Sequence, residues 1–169
     1  MNTLDTIFAR RSVRKYKTDP IPDEDLKQIL EAGRQAPSGS NRQPWHFVVI
    51  GDPEQKRIVA EACNNQMWMA DAAYIIVAAG LPEATSSYKL NVAIALENMI
   101  LAAHSLGYGT CWIGAMDRDK VGELCGLPAG AEVVNCTPLG VPDVSPDARD
   151  RKPWDEVFSA NRYGERLEL

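Results

Sequence analysis

The chain has 169 residues, 45% of them apolar and 24% charged, which is the make-up of one globular domain and not of a fibrous, disordered or membrane-spanning chain. A net charge of −5 excludes a general nucleic-acid binder, which needs surplus Lys and Arg to neutralise phosphates. It leaves room for a local basic site that holds one small anion.

Asn2 caps a first short helix whose apolar stripe is Leu4, Ile7 and Phe8. That helix runs into Arg10-Arg11-Ser12-Val13-Arg14. The arginines either complement the negative end of the helix dipole or converge with the Ser12 hydroxyl on an anion. Ile21-Pro22-Asp23 opens a second helix, and Leu26, Ile29, Leu30 and Gly33 keep its stripe until Pro37 ends the pattern. Residues 36–45, APSGSNRQPW, then form a polar loop in which Gly39 permits close backbone approach.

His46-Phe47-Val48-Val49-Ile50 reads as a buried strand, with His46 a packed residue and not a catalytic base. Asp52-Pro53 opens a third helix, expected to run to about Asn65. Residues 72–80, with Tyr74-Ile75-Ile76-Val77, read as a strand at the centre of the sheet because both faces are apolar. Residues 90–106 form the most apolar segment, broken by Glu97, Asn98 and His104 and too short to span a membrane. A helix about 25 Å long that is apolar nearly all round calls for burial on every side. The domain core and a second copy of the same chain are the two ways to supply that burial. Glu97 and His104 are expected as polar partners inside this packing.

Residues 107–114 imitate two nucleotide motifs and satisfy neither. Trp112 stands where GxGxxG needs glycine, and Ala115-Met116 replaces the Lys-Ser/Thr pair of a phosphate-binding loop. A short helix over 117–125 and a third full strand over 131–141 follow. The remainder, 143–169, carries one amphipathic patch of Trp154, Val157 and Phe158 and is expected to wrap over a surface. Cys63, Cys111, Cys125 and Cys136 form no CxxC pair and have no His at ligand spacing, so no metal centre is expected. Scattered thiols fit a reducing cytoplasm, and the N-terminus lacks the apolar core of an export signal.

Five stretches in register, ARRSVRKY (9–16), APSGSNRQPWHFVVI (36–50), ENMILAAHSLGYGTCWIGAMD (97–117), PLGVPD (138–143) and RKPWDEVFSANRYG (151–164), resemble the shorter-chain branch of the nitroreductase family. The resemblance covers essentially the whole chain, 1–169, as a single domain. It implies an α+β fold, with a central mostly antiparallel sheet flanked by helices. It also implies an intertwined homodimer whose 143–169 tail wraps over the partner, with two FMN sites at the interface. By position, Arg10, Arg11, Ser12 and Arg14 would hold the FMN phosphate and ribityl chain and reach the pyrimidine edge, and Arg151 would add a phosphate contact. Pro37, Ser38, Gly39, Ser40 and Asn41 would line the flavin ring from the other subunit. Trp112, Ile113 and Gly114 would run along the flavin near N5.

The implied activity is hydride transfer from NADH or NADPH, through the flavin, to nitroaromatic, quinone or related conjugated acceptors in a ping-pong cycle. The flavin carries that chemistry, which accounts for the lack of an acid/base pair or nucleophilic triad in the chain. A specialised flavoprotein of the same fold, such as a dehalogenase or dehydrogenase, and a non-catalytic FMN-binding module are the alternatives. The interval before the long helix, 80–89, is too short for the lid of larger members. Trp68 and Tyr88 are candidates for finishing an open substrate pocket, and equally for packing anchors.

Overall fold

A computed structural model describes residues 2–169. The first helix, α1 (Thr3–Ala9), starts on a reciprocal capping box in which Asn2 and Asp5 satisfy each other's backbone N–H. Helix α2 (Asp23–Arg34) follows, then a 3₁₀ turn (Gly39–Asn41), β1 (Trp45–Ile50) and α3 (Pro53–Ala62). A second 3₁₀ turn (Met67–Asp71) leads to β2 (Tyr74–Gly80) and the long α4 (Tyr88–Ser105). The chain ends with β3 (Gly109–Thr110), α5 (Arg118–Leu124), β4 (Glu132–Gly140) and α6 (Trp154–Val157).

The four strands form one antiparallel sheet in the order β1-β2-β4-β3. Strand β2 is central, and its alternation divides the core in two. Ile75 and Val77 face a layer built by α3, the second 3₁₀ turn and α5, together with Cys136 of β4. Ile76 and Ala78 face the opposite layer of α2 and α4, with Leu139 of β4. Each such aliphatic side chain, removed from water, contributes roughly 1.5–3 kcal/mol. The α+β class and the antiparallel sheet therefore match expectation.

Helix α2 packs on α4 through Ile29 and Gly33, as its stripe predicts. Gly33 is there because a Cβ would stand 2.1 Å from the Met99 methyl, so the side chain of α4 occupies the space instead. The helix stops at Arg34, three residues before Pro37, because the residue ahead of a proline disfavours helical geometry.

Three expectations about burial are corrected within the single chain. His46, expected as a packed residue, is exposed on β1, an edge strand of the sheet. Leu4, Ile7 and Phe8 of α1 are exposed, and the residue α1 buries is Thr6, whose hydroxyl bonds back to Asn2 O. Helix α4 sinks Val92, Leu96, Met99, Ile100 and Ala103 into the core but leaves Leu90 69% and Ile94 43% exposed. Within one chain the sheet and α2 cover α4, and the face carrying Leu90 and Ile94 stays open. Among the described residues no helix is long and apolar enough to cross a membrane.

Candidate functional site

The sequence leaves α1 at Arg10 in extended geometry (φ −55°, ψ 136°) and docks beside β3. Val13 N–H donates to Thr110 O at 2.9 Å, and Ser12 pairs with Thr110 as a parallel bridge. Val13 is buried directly over Gly109, where a Cβ would sit 2.8 Å from the Val13 Cβ. A second fastening lies further on. The Tyr16 hydroxyl donates to Val13 O at 2.8 Å, Lys17 N–H to Val141 O at 2.9 Å, and the Lys15 ammonium meets Asp143 at 2.7 Å. The basic segment is thus clamped to the sheet edge and cannot drift with its long side chains.

That clamp places Arg10, Arg11, Ser12 and Arg14 around a cleft of about 240 Å³, closed on the far side by Pro146, Asp147, Arg149 and Arg151. Five arginines against one aspartate make the cleft strongly positive. Arg151, 137 residues from Arg14 in sequence, lines the same cleft. Arg149 was not singled out in the sequence. Its signal is the 149/151 spacing, because alternate residues of an extended chain share a side.

Arg11 sits at the junction of α1 and the cleft. Its guanidinium donates to Phe8 O and Arg10 O, both at 2.8 Å, closing the end of α1 while also lining the cleft. Arg10 is held differently. Its Nε lies 3.8 Å from Glu97 of α4, and the other Glu97 oxygen accepts from the Trp112 indole N–H at 2.9 Å. Among the described residues, the buried side-chain nitrogens and oxygens without a partner are Arg10 Nη1 and His104 Nε2. A buried guanidinium donor with no acceptor, in a cleft of arginines, fits a phosphate. Each charge-assisted bond to such an anion is worth roughly 1.5–3 kcal/mol, and the anion would relieve the arginines' mutual repulsion.

The second wall is built at the other end of α4. Gly39 N–H donates to Asn91 Oδ1 at 3.1 Å, and Asn91 in turn donates to Ser87 O at 2.8 Å. Ser38 Oγ accepts from Gln43 N–H at 2.9 Å. The left-handed residues of this loop are Ser40 (φ 51°), Asn41 (φ 54°) and Gln43 (φ 48°), not Gly39. What Gly39 contributes is an absent side chain, since nothing lies within 4 Å of where its Cβ would be. Pro37, Ser38, Gly39, Ser40 and Asn41 do not line the arginine cleft of their own chain. Asn91 and Glu97 are six residues apart and Asn91 and His104 thirteen, or about 9 and 20 Å along the helix. The two walls therefore stand at different heights on α4.

Trp112, Ile113 and Gly114 run between β3 and α5. Trp112 is half-buried and fixed by Glu97. Ile113 is buried, its N–H donating to Cys136 O at 2.9 Å and Asn135 Oδ1 at 3.2 Å. Gly114 opens onto space, with nothing within 4 Å of a Cβ. Of the two aromatic candidates for substrate contact, Tyr88 is buried and donates its hydroxyl to Glu132, while Trp68 stacks on Tyr16 with ring centres 6.5 Å apart. Both act as packing anchors.

Residues 7–81 and 60–141 match the nitroreductase family in two overlapping segments. An Archaeoglobus fulgidus relative, carrying a provisional NADH dehydrogenase/NAD(P)H nitroreductase name, is 35% identical over 168 residues and covers 94% of each chain. The NADPH-flavin oxidoreductase of Vibrio harveyi is 33% identical over 97% of this chain and 75% of its own length. Among solved structures, the Vibrio harveyi NADPH:FMN oxidoreductase complexed with NAD+ superposes with a TM-score of 0.91 at 32% identity, covering 99% of this chain and 80% of that one. With this fold and these matches across most of its length, the chain belongs to the nitroreductase family.

Proposed function

We propose that the protein is an FMN-dependent NAD(P)H oxidoreductase, working in the cytoplasm as a homodimer with two flavin sites. The observation that carries this is the arginine cleft, with its one buried guanidinium nitrogen that has no acceptor. When bound, the flavin supplies hydride transfer from NADH or NADPH to a nitroaromatic, quinone or related conjugated acceptor, donor and acceptor visiting in turn. The chain itself binds and orients. Arg10, Arg11, Arg14, Arg149 and Arg151 would neutralise the phosphate, and the Ser12 hydroxyl would add a donor. Glu97 holds Trp112 in place, so the segment 112–114 would present a fixed wall with an opening at Gly114.

The placement of the two walls supports the homodimer. Pro37, Ser38, Gly39, Ser40 and Asn41 stand apart from the cleft of their own chain, so a partner's loop would complete each site. The exposed Leu4, Ile7 and Phe8 of α1 and Leu90 and Ile94 of α4 supply apolar surface for that contact.

The test is to purify the protein, record its visible spectrum, identify the released cofactor, and compare NADH with NADPH oxidation using a quinone acceptor. Yellow protein that releases FMN and turns over with either nicotinamide supports the proposal. Colourless protein that shows no flavin bands after FMN is added sinks it.

A further inference from the structure

Arg10 meets α4 through Glu97. Glu97 faces its Nε, and His104 lies two helical turns further along the same stripe of α4, at i+7. The His104 Nε2 atom is shielded from solvent and has no hydrogen-bond partner, and the same is true of Arg10 Nη1. A guanidinium nitrogen of a cleft residue and an imidazole nitrogen of the helix that residue meets are thus both left unsatisfied. We propose that His104 is a proton-bearing positioning residue of the anion site, which takes up a proton when a phosphate enters the arginine cleft. The proposal rests on the phosphate reading of that cleft.

The physical reason is charge balance. With the cleft free of anion, burial together with the positive charges of Arg10 and Arg11 holds the imidazole below its ordinary value of 6.5. Arg10 and Arg11 come from the end of α1 and the turn after it. On α4 the nearest acid of the stripe, Glu97, is turned to Arg10 and Trp112. A phosphate dianion against the arginines offsets the charge that disfavours imidazolium. Protonated His104 then adds a cation to α4, the helix that Arg10 meets through Glu97. Protonation and anion binding favour each other, so anion affinity gains as pH falls through the window between the free and bound values, and the gain is absent above the bound value.

The chain has only two histidines, His46 and His104, so imidazole resonances can be followed in the wild-type protein by NMR, with His46→Asn identifying which is which. The pH titration is run with and without saturating FMN, and again with riboflavin, which lacks the phosphate. The expected result is that FMN raises the His104 midpoint by at least about one unit, an opposite charge acting at close range. Riboflavin should leave it in place, and His46 should not respond to either. By linkage, that shift equals a tenfold gain in FMN affinity between high and low pH. The gain should disappear in His104→Gln relative to wild type. If FMN binds and the His104 midpoint does not move, the proton linkage is wrong while the cofactor assignment stands. If wild-type protein binds no FMN at all, the phosphate reading fails, and the proposal with it.

Discussion

Arg10 is the residue on which both ends of the site depend. It is the cleft arginine with a buried nitrogen lacking an acceptor, and through Glu97 it is tied to Trp112. Arg10→Ala should weaken FMN binding by at least about 1.5 kcal/mol, the loss of one charge-assisted bond, and weaken riboflavin binding by less. Flavin fluorescence titration of the two ligands checks this. His104 gives a second prediction, on the flavin-free protein. Its folded pKa is depressed below 6.5, so the unfolded chain takes the proton first. Stability is fully present above 6.5 and falls as pH drops through the folded value. Urea midpoints at pH 7.5 and 5.5 should show the loss, and His104→Gln should flatten it. At this scale the sequence was informative about charge and silent about geometry. The arginine run was visible as a candidate anion site, but that Arg11 also closes α1 depends on where Phe8 O points. For Arg149 the signal is two residues long, the 149/151 alternation, too short to mark an element.

Among the elements, the joint between residues 10–17 and β3 matters most. It works because Gly109 leaves room for Val13. Gly109→Ala would force the Val13 Cβ away, and overpacking of this kind costs about 1–3 kcal/mol. Melting temperature should fall by several degrees, about 2–4 °C per kcal/mol at this size. FMN affinity should fall with it, because the same contact aims Arg10 and Arg14. A lowered melting temperature with intact FMN affinity would separate the joint from the site. Elements with a strong periodic signal were legible in the sequence. Strand β2 was recognisable as central from its apolar run, and α2 from its stripe. The 3₁₀ turn at Gly39–Asn41 was not, because its left-handed residues are serine and asparagine, which the sequence offers no reason to place there over glycine.

Across the whole molecule, the surplus of apolar residues on α1 and α4 was apparent from the sequence, but the place of their burial was not. A helical stripe says only that something covers it, and within one chain Leu4, Ile7, Phe8, Leu90 and Ile94 stay exposed. The protein should sediment at about 37 kDa, twice the 18.6 kDa chain. Ile94→Lys should shift it toward monomer and lower flavin content together, since in the proposed dimer the loop 37–41 would serve the partner's cleft. Monomer that keeps full flavin would place both walls in one chain. The central claim, that the arginine cleft holds the phosphate of FMN, is tested most directly by titrating the flavin-free protein with FMN and with riboflavin under the same conditions. Two or more charge-assisted bonds predict FMN binding at least about a hundredfold tighter, and Arg10→Ala and Arg151→Ala should each narrow that gap. Equal affinity for the two flavins would contradict the account.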